Sequence, residues 1–582
     1  MQKNNYTIYH VHSPYSNANA GMDCVTPIEL TIGKAKKFGM TSLAFSEHGN
    51  VYDWITKKEK IEAVGMKYIH AIEAYVTETF EDKIWDNYHC ILIAKNFDGV
   101  QEINELSSRS YNRNDGHFYH APRISMDELF NTSDNVMITT ACIAGLLGVK
   151  SNDNVRERTI NFLRQNKDRC FLEIQHHCCQ KQKDYNQYVY EVSLATGVPL
   201  IAGTDTHSLD KRYAEARLIF EKGAGTAYPD EDEFNLCMLS YEDLVQEYER
   251  QNCLPQDVYM NAIEMTNVMA GMVEAFELDR SYKYPKIYEN GKEVLWQKTV
   301  EAYKNHPYAS KRYTWEEIEP RLREEYEVMC DNNAQDFMLL QMHIRDYENA
   351  NGINYGFGRG SVGGSEVAYV NRITEMDSIK YDLPFSRFMS RERVNLADID
   401  TDYDDESKAK VTKFLIKDHL NLPNMQAAQI ITFGTMKAKK AIEYAGKGLG
   451  YSLDEIAKIK KMLGGKDGEE ITDEMRKKYP KLIDIVELAS GVVVNTGIHA
   501  SGILISDKNI SRLLGLATNS NSDYVSTQVQ MKSLDAYNWV KFDLLGLNTL
   551  KLINLGAEYC GHPKPTPDSE LFKNMSDFAV YK

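Results

Sequence analysis

Histidines spaced two residues apart stand near the N-terminus of the chain. His10 and His12 lie in the run YTIYHVHS, where alternate side chains of a strand would point to one face. Asp205 and His207 repeat this spacing in AGTDTHS. Imidazole nitrogens and carboxylate oxygens ligate transition metals, although each pair taken singly is also explained as a surface or core pair. The spacing alone therefore admits a metal site or an ordinary structural role.

Further residues of metal-ligand type lie in or beside other short apolar runs of the same region. They are His48 in SEHGN, Glu73 in AIEAYV, His89 in NYHCILIA and Cys142 in NVMITTAC. Their recurrence favours a shared site, because α/β folds collect the ends of their strands at one edge. Imidazole and thiolate ligands favour Zn²⁺, Mn²⁺ or Fe²⁺ over Mg²⁺. Several such ions close together are suited to phosphodiester hydrolysis.

A second set of candidates alternates along LADIDTDY. Asp398, Asp400 and Asp402 would share one face of a strand, where neighbouring carboxylates repel by roughly 2 kcal/mol at an effective dielectric of 20. Bound divalent cations would remove that cost, whereas the alternative is a solvated acidic edge or turn. Asp543, in WVKFDLLGL, could complete the carboxylate set of a two-metal phosphoryl-transfer site.

The glycine-rich stretch GFGRGSVGGS, residues 356–365, precedes the acidic run and could bind phosphate. Glycines let backbone N–H groups approach phosphate oxygens, and Arg359 and Ser361 add a charge and a hydroxyl donor. A plain tight turn explains the glycines equally well. The adjacent acidic run is what favours the phosphate-binding interpretation.

The run His176, His177, Cys178 and Cys179 is a less convincing metal site. Consecutive residues of a strand point to opposite faces, so these four side chains could not share one tetrahedral ion. The run therefore predicts a structural or local role.

The composition of the chain is that of an ordinary globular protein. Its 582 residues suffice for roughly three or four domains, and 43% are hydrophobic and 26% charged. The net charge of −17 argues against a simple nucleic-acid coat protein but allows an enzyme with a locally basic groove. With no membrane-length apolar run, no signal peptide and no CxxC pair, we expect a cytoplasmic protein without membrane partners.

Short strands alternating with helical stretches must position the first set of candidates. The predicted strands are 41–46, 89–95, 135–142, 170–175 and 198–205. This alternation predicts an α/β layered or barrel fold over the first ~210 residues. A second α/β region begins near Tyr303, residues 405–490 are largely helical, and 495–545 are rich in strands.

The N-terminal region resembles the polymerase-and-histidinol-phosphatase (PHP) domain, which implies a distorted β/α barrel holding up to three ions. The resemblance implies the ligands His10, His12, Asp23, His48, Glu73, His89, Cys142, Asp205 and His207. Asn19 stands where many relatives have Asp, so the third ligand is either Asp23 or Asn19. Glu47 precedes its histidine where Asp is usual.

The remainder resembles the palm of bacterial family C replicative DNA polymerases, the DNA polymerase III alpha subunits. The similar words, in order, are GRGSVGGSEVAYV, ERVNLADIDTDYD, QIITFGTMKAKKAI, NTGIHASGILIS and VKFDLLGLNTL. The resemblance implies a palm related to the polymerase-beta nucleotidyltransferase fold. It implies catalytic Asp398, Asp400 and Asp543, and triphosphate contacts by Arg359, Gly360, Ser361 and Lys541.

Both resemblances together predict the organisation of the chain. The segments are a PHP domain at 1–275, a palm at 276–429 and 495–561 with a helical thumb inserted at 430–494, and the start of fingers at 562–582. In the thumb, Lys437, Lys439 and Lys440 offer a basic surface for the primer–template duplex, with solvated helix faces as the alternative.

These expectations combine into a DNA-directed DNA polymerase fragment with a 3′–5′ proofreading exonuclease in the PHP domain. We expect Mg²⁺ in the palm and Zn²⁺, Mn²⁺ or Fe²⁺ in the PHP domain. The expected partners are primer–template DNA, dNTPs and a second polypeptide with the fingers, through which a sliding clamp and helicase are reached, in a bacterial cytoplasm or a virus-infected one. The alternatives are a phosphoesterase with an inactive palm and a non-catalytic replication partner.

Overall fold

The chain folds into two compact units. The computed structural model describes residues 5–81, 87–227, 233–391, 399–520, 522–561 and 566–567. The first unit comprises Met1–Glu277, Ile431–Gly497 and Ser511–Gln530. The second unit comprises Leu278–Ile430, Ile498–Ile510 and Met531–Lys582.

The strands are short, and most are rich in β-branched and aromatic residues. They are β1 (Ser42–His48), β2 (Lys67–Thr77), β3 (Tyr88–Ala94), β4 (Phe118–Tyr119), β5 (Ala121–Ser125), β6 (Val136–Thr139), β7 (Cys170–Gln175), β8 (Leu200–Gly203), β9 (Asp400–Tyr403), β10 (Gln426–Thr435), β11 (Val493–Ser506), β12 (Leu516–Thr518), β13 (Val525–Gln530) and β14 (Lys541–Gly546).

The helices include several with side-chain N-caps, such as the Ser240 capping box before the ninth helix. They are α1 (Asn17–Ala20), α2 (Ile28–Phe38), α3 (Trp54–Ala63), α4 (Phe97–Ser110), α5 (Met126–Phe130), α6 (Asp153–Gln165), α7 (Gln180–Thr196), α8 (Lys211–Ala224), α9 (Tyr241–Gln251), α10 (Gln256–Gly271), α11 (Gly291–Asn305), α12 (Ala309–Arg312), α13 (Trp315–Asp331), α14 (Gln335–Ala350), α15 (Glu366–Val370), α16 (Asp405–Ile416), α17 (Ala438–Gly448), α18 (Leu453–Lys460), α19 (Asp473–Lys478), α20 (Pro480–Leu488), α21 (Ile510–Leu513), α22 (Met531–Ala536) and α23 (Asn548–Cys560). Among the described residues, no helix combines the length and apolar character needed to cross a bilayer.

The first unit contains a sheet that curls into a distorted barrel. Strand β1 pairs with β2, and the order then runs β2, β3, β6, β7 and β8. The segment before the first helix closes the gap, because Ile8 bridges Leu43 of β1 while Val11 bridges Thr206 just after β8. The predicted β/α barrel is confirmed.

The barrel strands are buried along most of their length because both faces of the sheet are covered. All seven residues of β1 are buried, as expected for strands packed on two sides. A core cluster joins the strands to α10 through the buried Met269 and Ala270. Its strand members include Ala44, Ile69, Ile91, Met137, Phe171 and Ile201.

Helices α17 to α20 belong to the first unit and share a core with α8. Phe220 of α8 belongs to one buried cluster with Ile442, Ile456 and Leu482. Glycines allow α8 and α17 to approach closely. A Cβ on Gly223 would lie 1.8 Å from the Tyr444 carbonyl oxygen, and one on Gly448 would lie 2.0 Å from that of Ile219.

The second unit places β14 beside β9. The two strands run parallel, and β14 also pairs antiparallel with the last part of β11. Side chains of β9 and of the first part of β14 alternate between half-buried and buried positions. This alternation leaves one polar face and one core face, and helix α14 contributes Phe337 against Phe542 of the core face. The unit agrees with the predicted mixed α/β architecture.

Candidate functional site

The nine predicted ligands of the first unit come from seven places in the barrel. His10 and His12 lie in the closing segment. His48 ends β1, where it stands in register with Glu73 of β2. His89, in β3, pairs with Tyr75 of β2. The loops that follow α1, β6 and β8 supply Asp23, Cys142, Asp205 and His207. Neighbouring strands therefore bring residues that are remote in sequence to one end of the barrel.

The ligand atoms of these residues converge in three overlapping groups. Within each group the atoms lie within 4.8 Å of one another: His12, Asp23, His48 and His207; His10, His12 and Glu73; His48, Glu73 and His89. Asp205 Oδ1 lies 3.1 Å from His10 Nε2, and Cys142 Sγ lies 3.7 Å from His89 Nδ1. The shared members mean that adjacent groups could bind adjacent ions.

Buried polar atoms without hydrogen bonds point into this cluster. Within the described part of the chain these include His10 Nε2, His12 Nε2, Asp23 Oδ2, His48 Nδ1 and Glu73 Oε2. Some of these atoms lie close to one another, as His48 Nδ1 does to Glu73 Oε2 at 2.8 Å. Buried polar atoms that lack hydrogen bonds are nevertheless costly, so native proteins seldom retain them without a ligand. Each atom is of a type that ligates a divalent transition metal. The residues therefore fit a polynuclear metal centre.

The ionisable groups of the cluster shift one another's pKa values strongly. Burial opposes the charged form of His48, but the Glu73 and Asp23 carboxylates outweigh it and raise the pKa of His48 to about 10. Burial, with His48 and His207 nearby, lowers the pKa of His12 to about 4. Despite their burial, the pKa values of Asp23 and Glu73 are held well below the usual range, mainly by neighbouring histidines. The carboxylates are therefore ionised and ready to bind cations.

Asp23 and Asn19 occupy different positions relative to the cluster. Asp23 Oδ2 lies 3.3 Å from His207 Nε2 and 3.4 Å from His48 Nε2. The Asn19 amide nitrogen instead donates to the His48 carbonyl oxygen at 2.7 Å. The buried Arg217 guanidinium lies 3.1 Å from the other Asp23 oxygen, which leaves Oδ2 directed at the histidines. Asp23 has the geometry of a ligand, and Asn19 that of a support.

Two buried carboxylates lie behind the ligands: Glu173, which the sequence analysis missed, and Glu47, which it named without a role. Glu173, in β7, lies 2.6 Å from His10 Nδ1. Glu47 accepts a hydrogen bond from Ser16 at 2.7 Å, and Ser16 Oγ lies 3.0 Å from His12 Nδ1. The Lys57 ammonium pairs with Glu47 at 2.7 Å. A carboxylate inside the apolar strand CFLEIQ was the available signal for Glu173.

We expect Glu173→Gln to weaken metal binding at the barrel cluster about 10- to 100-fold. A partner on the second ring nitrogen orients a ligating histidine and raises its basicity, and its loss has this magnitude in known sites. Competition with a chromophoric chelator would measure the affinity. Glu128→Gln is the matched control, because Glu128 pairs with His117 at 3.0 Å outside the cluster. Equal affinities in the two variants would contradict the assignment.

The His176–Cys179 run does not join the ligand groups. Both histidines are buried, and His176 Nε2 contacts the Asn235 carbonyl oxygen at 3.1 Å. The His177 ring packs edge-on against Phe234 at 5.1 Å. Cys179 precedes α7 as its N-cap. These contacts describe a structural role.

A cavity of about 530 Å³ opens beside the cluster. Its walls include apolar side chains, among them Ile143, Phe234 and Leu236. Lys150 and His120 are exposed and also line it. This combination of apolar wall and basic groups suits an organic phosphate.

The second unit aligns two of the predicted catalytic aspartates. Asp400 of β9 stands directly opposite Asp543 of β14 in the parallel register. Partial burial and the Asp543 carboxylate raise the pKa of Asp400, so the charges of Asp400 and Asp543 repel each other. Asp398 lies outside the described residues, as does most of the segment 562–582.

Basic and hydroxyl groups surround these carboxylates. Arg359 Nη1 lies 3.3 Å from Asp402 Oδ1, and its Nε lies 3.7 Å from Asp400. Lys541 Nζ lies 3.8 Å from Asp543, and the Ser501 hydroxyl donates to Asp543 at 3.0 Å. The positively charged side chains of Arg359 and Lys541 already compensate part of the negative charge of the aspartates. A site that binds both anionic substrates and metal ions requires such a balance.

The glycine-rich loop lies against the same strand. The Gly356 N–H donates to the Asp402 carbonyl oxygen at 2.8 Å. Gly360 has a φ of +72° and would place a Cβ 3.9 Å from Asp400 Oδ2. Ser361 follows in the 3₁₀ turn Gly360–Gly364. The left-handed backbone at Gly360 is readily adopted only by glycine, which explains that residue beside the carboxylates.

The three predicted DNA-contacting lysines lie at the start of α17. All three are exposed. Lys439 Nζ donates to the Asp467 carbonyl oxygen at 3.0 Å, while Lys440 lies 4.3 Å from the centre of the Tyr444 ring. Lys437 is the N-cap residue of the helix. The exposed position of the three lysines is compatible with contact to solvent and with contact to a DNA phosphate backbone.

Comparison with known proteins agrees with both units. Residues 9–177 match the PHP domain, and residues 292–546 match the bacterial DNA polymerase III alpha NTPase domain. DNA polymerase III subunit alpha of Borreliella burgdorferi is 31% identical over 94% of this chain and 48% of its own length. DNA polymerase III subunit alpha of Aquifex aeolicus is 27% identical over 98% of this chain and 54% of its own length. The chain spans about half the length of the curated relatives it matches.

The barrel with its clustered ligands, together with the paired aspartate strands, defines a multidomain protein that joins a PHP domain to a polymerase-type domain. More specifically, the second domain matches the bacterial DNA polymerase III alpha NTPase domain, and the chain is similar to alpha subunits of that enzyme over 94% or more of its length. The chain carries both the PHP domain and this alpha NTPase domain.

Proposed function

We propose that the chain is the PHP and palm portion of a replicative DNA polymerase, acting on primer–template DNA and dNTPs. The single observation that carries the proposal is the register of Asp400 against Asp543 beside the glycine-rich loop. Two carboxylates that repel in the absence of ions, with Arg359 and Lys541 nearby, form the charge pattern of a nucleotidyl-transfer site.

In the palm, Asp400 and Asp543, with Asp398, would hold two Mg²⁺ ions. Such ions lower the pKa of the attacking 3′-hydroxyl and offset charge on the triphosphate. Arg359 and Ser361 would bind triphosphate oxygens through charge-assisted hydrogen bonds, with the Gly360 backbone allowing close approach. Lys541 would neutralise charge next to Asp543.

In the barrel, the nine clustered residues would hold Zn²⁺, Mn²⁺ or Fe²⁺, because imidazole and thiolate suit these ions. Ions of this kind supply an activated water for phosphodiester hydrolysis. Glu173 holds the His10 ring in place through a contact with His10 Nδ1. Ser16 does the same for the His12 ring through His12 Nδ1. We propose that this site removes nucleotides from a 3′ end, as a proofreading exonuclease does.

We assign segments 1–275, 276–429 with 495–561, and 430–494 to the PHP domain, palm and thumb. The thumb lysines Lys437, Lys439 and Lys440 would contact the DNA backbone. Because the chain spans about half the length of its relatives, we propose that processive synthesis needs a second polypeptide carrying fingers and C-terminal domains. Sliding clamp and helicase would be reached through that partner, in a bacterial cytoplasm.

A phosphoesterase with an inactive palm is the second candidate function. It is favoured by the complete ligand cluster, which needs nothing from the second unit to assemble. Primer extension with a complementary fingers fragment, run beside release of nucleotides from a 3′-labelled single strand, tests both. Extension supports the polymerase. Release of nucleotides without extension under any metal condition leaves the phosphoesterase.

We expect Phe234→Ala to raise KM for 3′-end hydrolysis about 10-fold with kcat little changed. Phe234 lines the cavity beside the cluster, and stacking of a base on an aromatic ring contributes about 1–3 kcal/mol. An oligonucleotide ending in an abasic nucleotide should show no such change. Leu194→Ala, at a side chain that is 70% exposed, is the control. An equal KM increase for both substrates would refute stacking at Phe234.

A further inference from the structure

The strand that bears Asp400 has a buried face opposite its carboxylates. Asp400 and Asp402 are half-buried, whereas Thr401 and Tyr403 are almost fully buried. The buried face meets Arg345 and Glu348 of α14, whose side chains are also buried. A charged pair thus lies directly behind the proposed palm site.

Hydrogen bonds connect this pair to both buried residues of the strand. Arg345 Nη1 donates to Glu348 Oε2 at 2.5 Å, and Arg345 Nη2 donates to the Thr401 hydroxyl oxygen at 2.8 Å. The Tyr403 hydroxyl donates to the other Glu348 oxygen. We name these four residues the rear network.

The rear network also reaches the segment that leads into the glycine-rich loop. The Arg345 guanidinium lies 4.1 Å from the centre of the Tyr355 ring. Tyr355 forms an antiparallel bridge with Tyr403, and the next residue, Gly356, donates to the Asp402 carbonyl oxygen. One buried guanidinium therefore touches the strand of the carboxylates and the start of the loop.

A buried ion pair is a poor means of gaining stability, because desolvation offsets much of its attraction. Apolar side chains could fill the same space. Directed hydrogen bonds, however, allow only one position of a strand relative to the helix behind it. Metal-binding carboxylates need placement to within about 0.5 Å. Positional accuracy is thus the property that the rear network supplies.

We propose that Arg345 and Glu348 are positioning residues for the metal site of the palm, acting through Thr401 and Tyr403 on Asp400. The inference rests on the proposed function, since it requires Asp400 and Asp543 to bind ions. Neither residue needs to contact substrate.

Mn²⁺ binding to the full chain, followed by electron paramagnetic resonance, tests the proposal. The palm component is the part of the Mn²⁺ signal that Asp400→Asn removes. Glu348→Gln should weaken that component about 10- to 100-fold, the range found for residues that orient ligands, and should broaden its spectrum. Tyr403→Phe keeps the ring and removes one hydrogen bond, so it should act in the same direction while the chain keeps a cooperative melting transition.

Asp377→Asn is the matched control, because its buried carboxylate pairs with Arg312 in the same unit. It should leave the palm component unchanged. If folded Tyr403→Phe and Glu348→Gln kept the wild-type Mn²⁺ affinity and line shape, the positioning role of the rear network would be overturned. The proposed function of the palm would be unaffected by that result. A chain with no Mn²⁺ component sensitive to Asp400→Asn would overturn the proposed palm function, and the inference with it.

Discussion

Asp400→Asn is expected to reduce nucleotide incorporation by about 10³-fold or more while leaving hydrolysis of single-stranded DNA unchanged. The substitution removes one charge of the Asp400–Asp543 pair. Ions held by such carboxylates contribute several kcal/mol to the transition state, and each 1.36 kcal/mol is a factor of ten in rate. Primer extension with the fingers polypeptide and release of 3′-labelled nucleotides measure the two activities in one preparation.

The matched control for this prediction is Asp405→Asn, a change at an exposed aspartate of the first turn of α16. It should incorporate nucleotides at the wild-type rate. If Asp400→Asn retained full incorporation, or lost hydrolysis in parallel, the division of labour between the two units would be wrong. Failure of both variants alike would indicate a folding defect in place of a catalytic one.

Removal of metal by chelation is expected to lower the melting temperature of the chain by roughly 10 °C at neutral pH. Ions present at 1,000 times their Kd stabilise the native state by about 4 kcal/mol. For a unit of more than 300 residues each kcal/mol corresponds to roughly 1–2 °C, so two such ions together account for about 10 °C. Calorimetry of metal-loaded and chelated protein gives the difference directly.

The chelation effect should be larger at pH 9 than at pH 6. The pKa of His48 is raised to about 10 in the metal-free fold, from an ordinary value of 6.5. Its ion pairs therefore stabilise the metal-free protein fully below pH 6.5, and this contribution falls as pH rises toward about 10. Metal affinity rises over the same interval, because the histidines must lose protons to bind ions.

The lowered pKa values of Asp23 and Glu73 do not change the expectation that chelation has the larger effect at pH 9. Their contribution is present above the ordinary carboxyl pKa and is lost only as pH falls through their lower folded values. Asp127→Asn, at a 78% exposed carboxylate, should respond to chelation as the wild type does. An equal loss of melting temperature at pH 6 and pH 9 would contradict the assignment. Turnover in the loaded protein would also exclude a purely structural role for the metals.

Local features of both sites were predictable from the sequence because they follow from the backbone. Alternate residues of a strand share a face whatever surrounds them, so the spacing of Asp400 and Asp402 already implied a common orientation. His10 and His12, by contrast, lie in a segment that forms only isolated bridges to the sheet. The strand predicted at 170–175 coincides with β7, and that at 89–95 lies within one residue of β3. Apolar runs bounded by polar residues supplied this information.

Supporting residues were not predictable in the same way. Arg217 looks like an ordinary helix residue, and the carboxylate of Glu173 in an apolar strand does not reveal which residue it meets. Each contacts a predicted ligand of the cluster through its side chain. Arg345 and Glu348 likewise show no spacing signal for their contacts with Thr401 and Tyr403. Such roles depend on which helices and strands pack together, and the local sequence pattern does not indicate that packing.

The sequence by itself determined the ligand types, the alternation of Asp400 and Asp402 along a strand and the two known domains that the chain resembles. Only the tertiary structure decided that Asp543 pairs with Asp400, that Asp23 faces the histidines while Asn19 does not, and that the helices after residue 437 share a core with α8. The physical reason is that strand register and helix packing are set by contacts between residues remote along the chain. These contacts form only when the whole core is assembled.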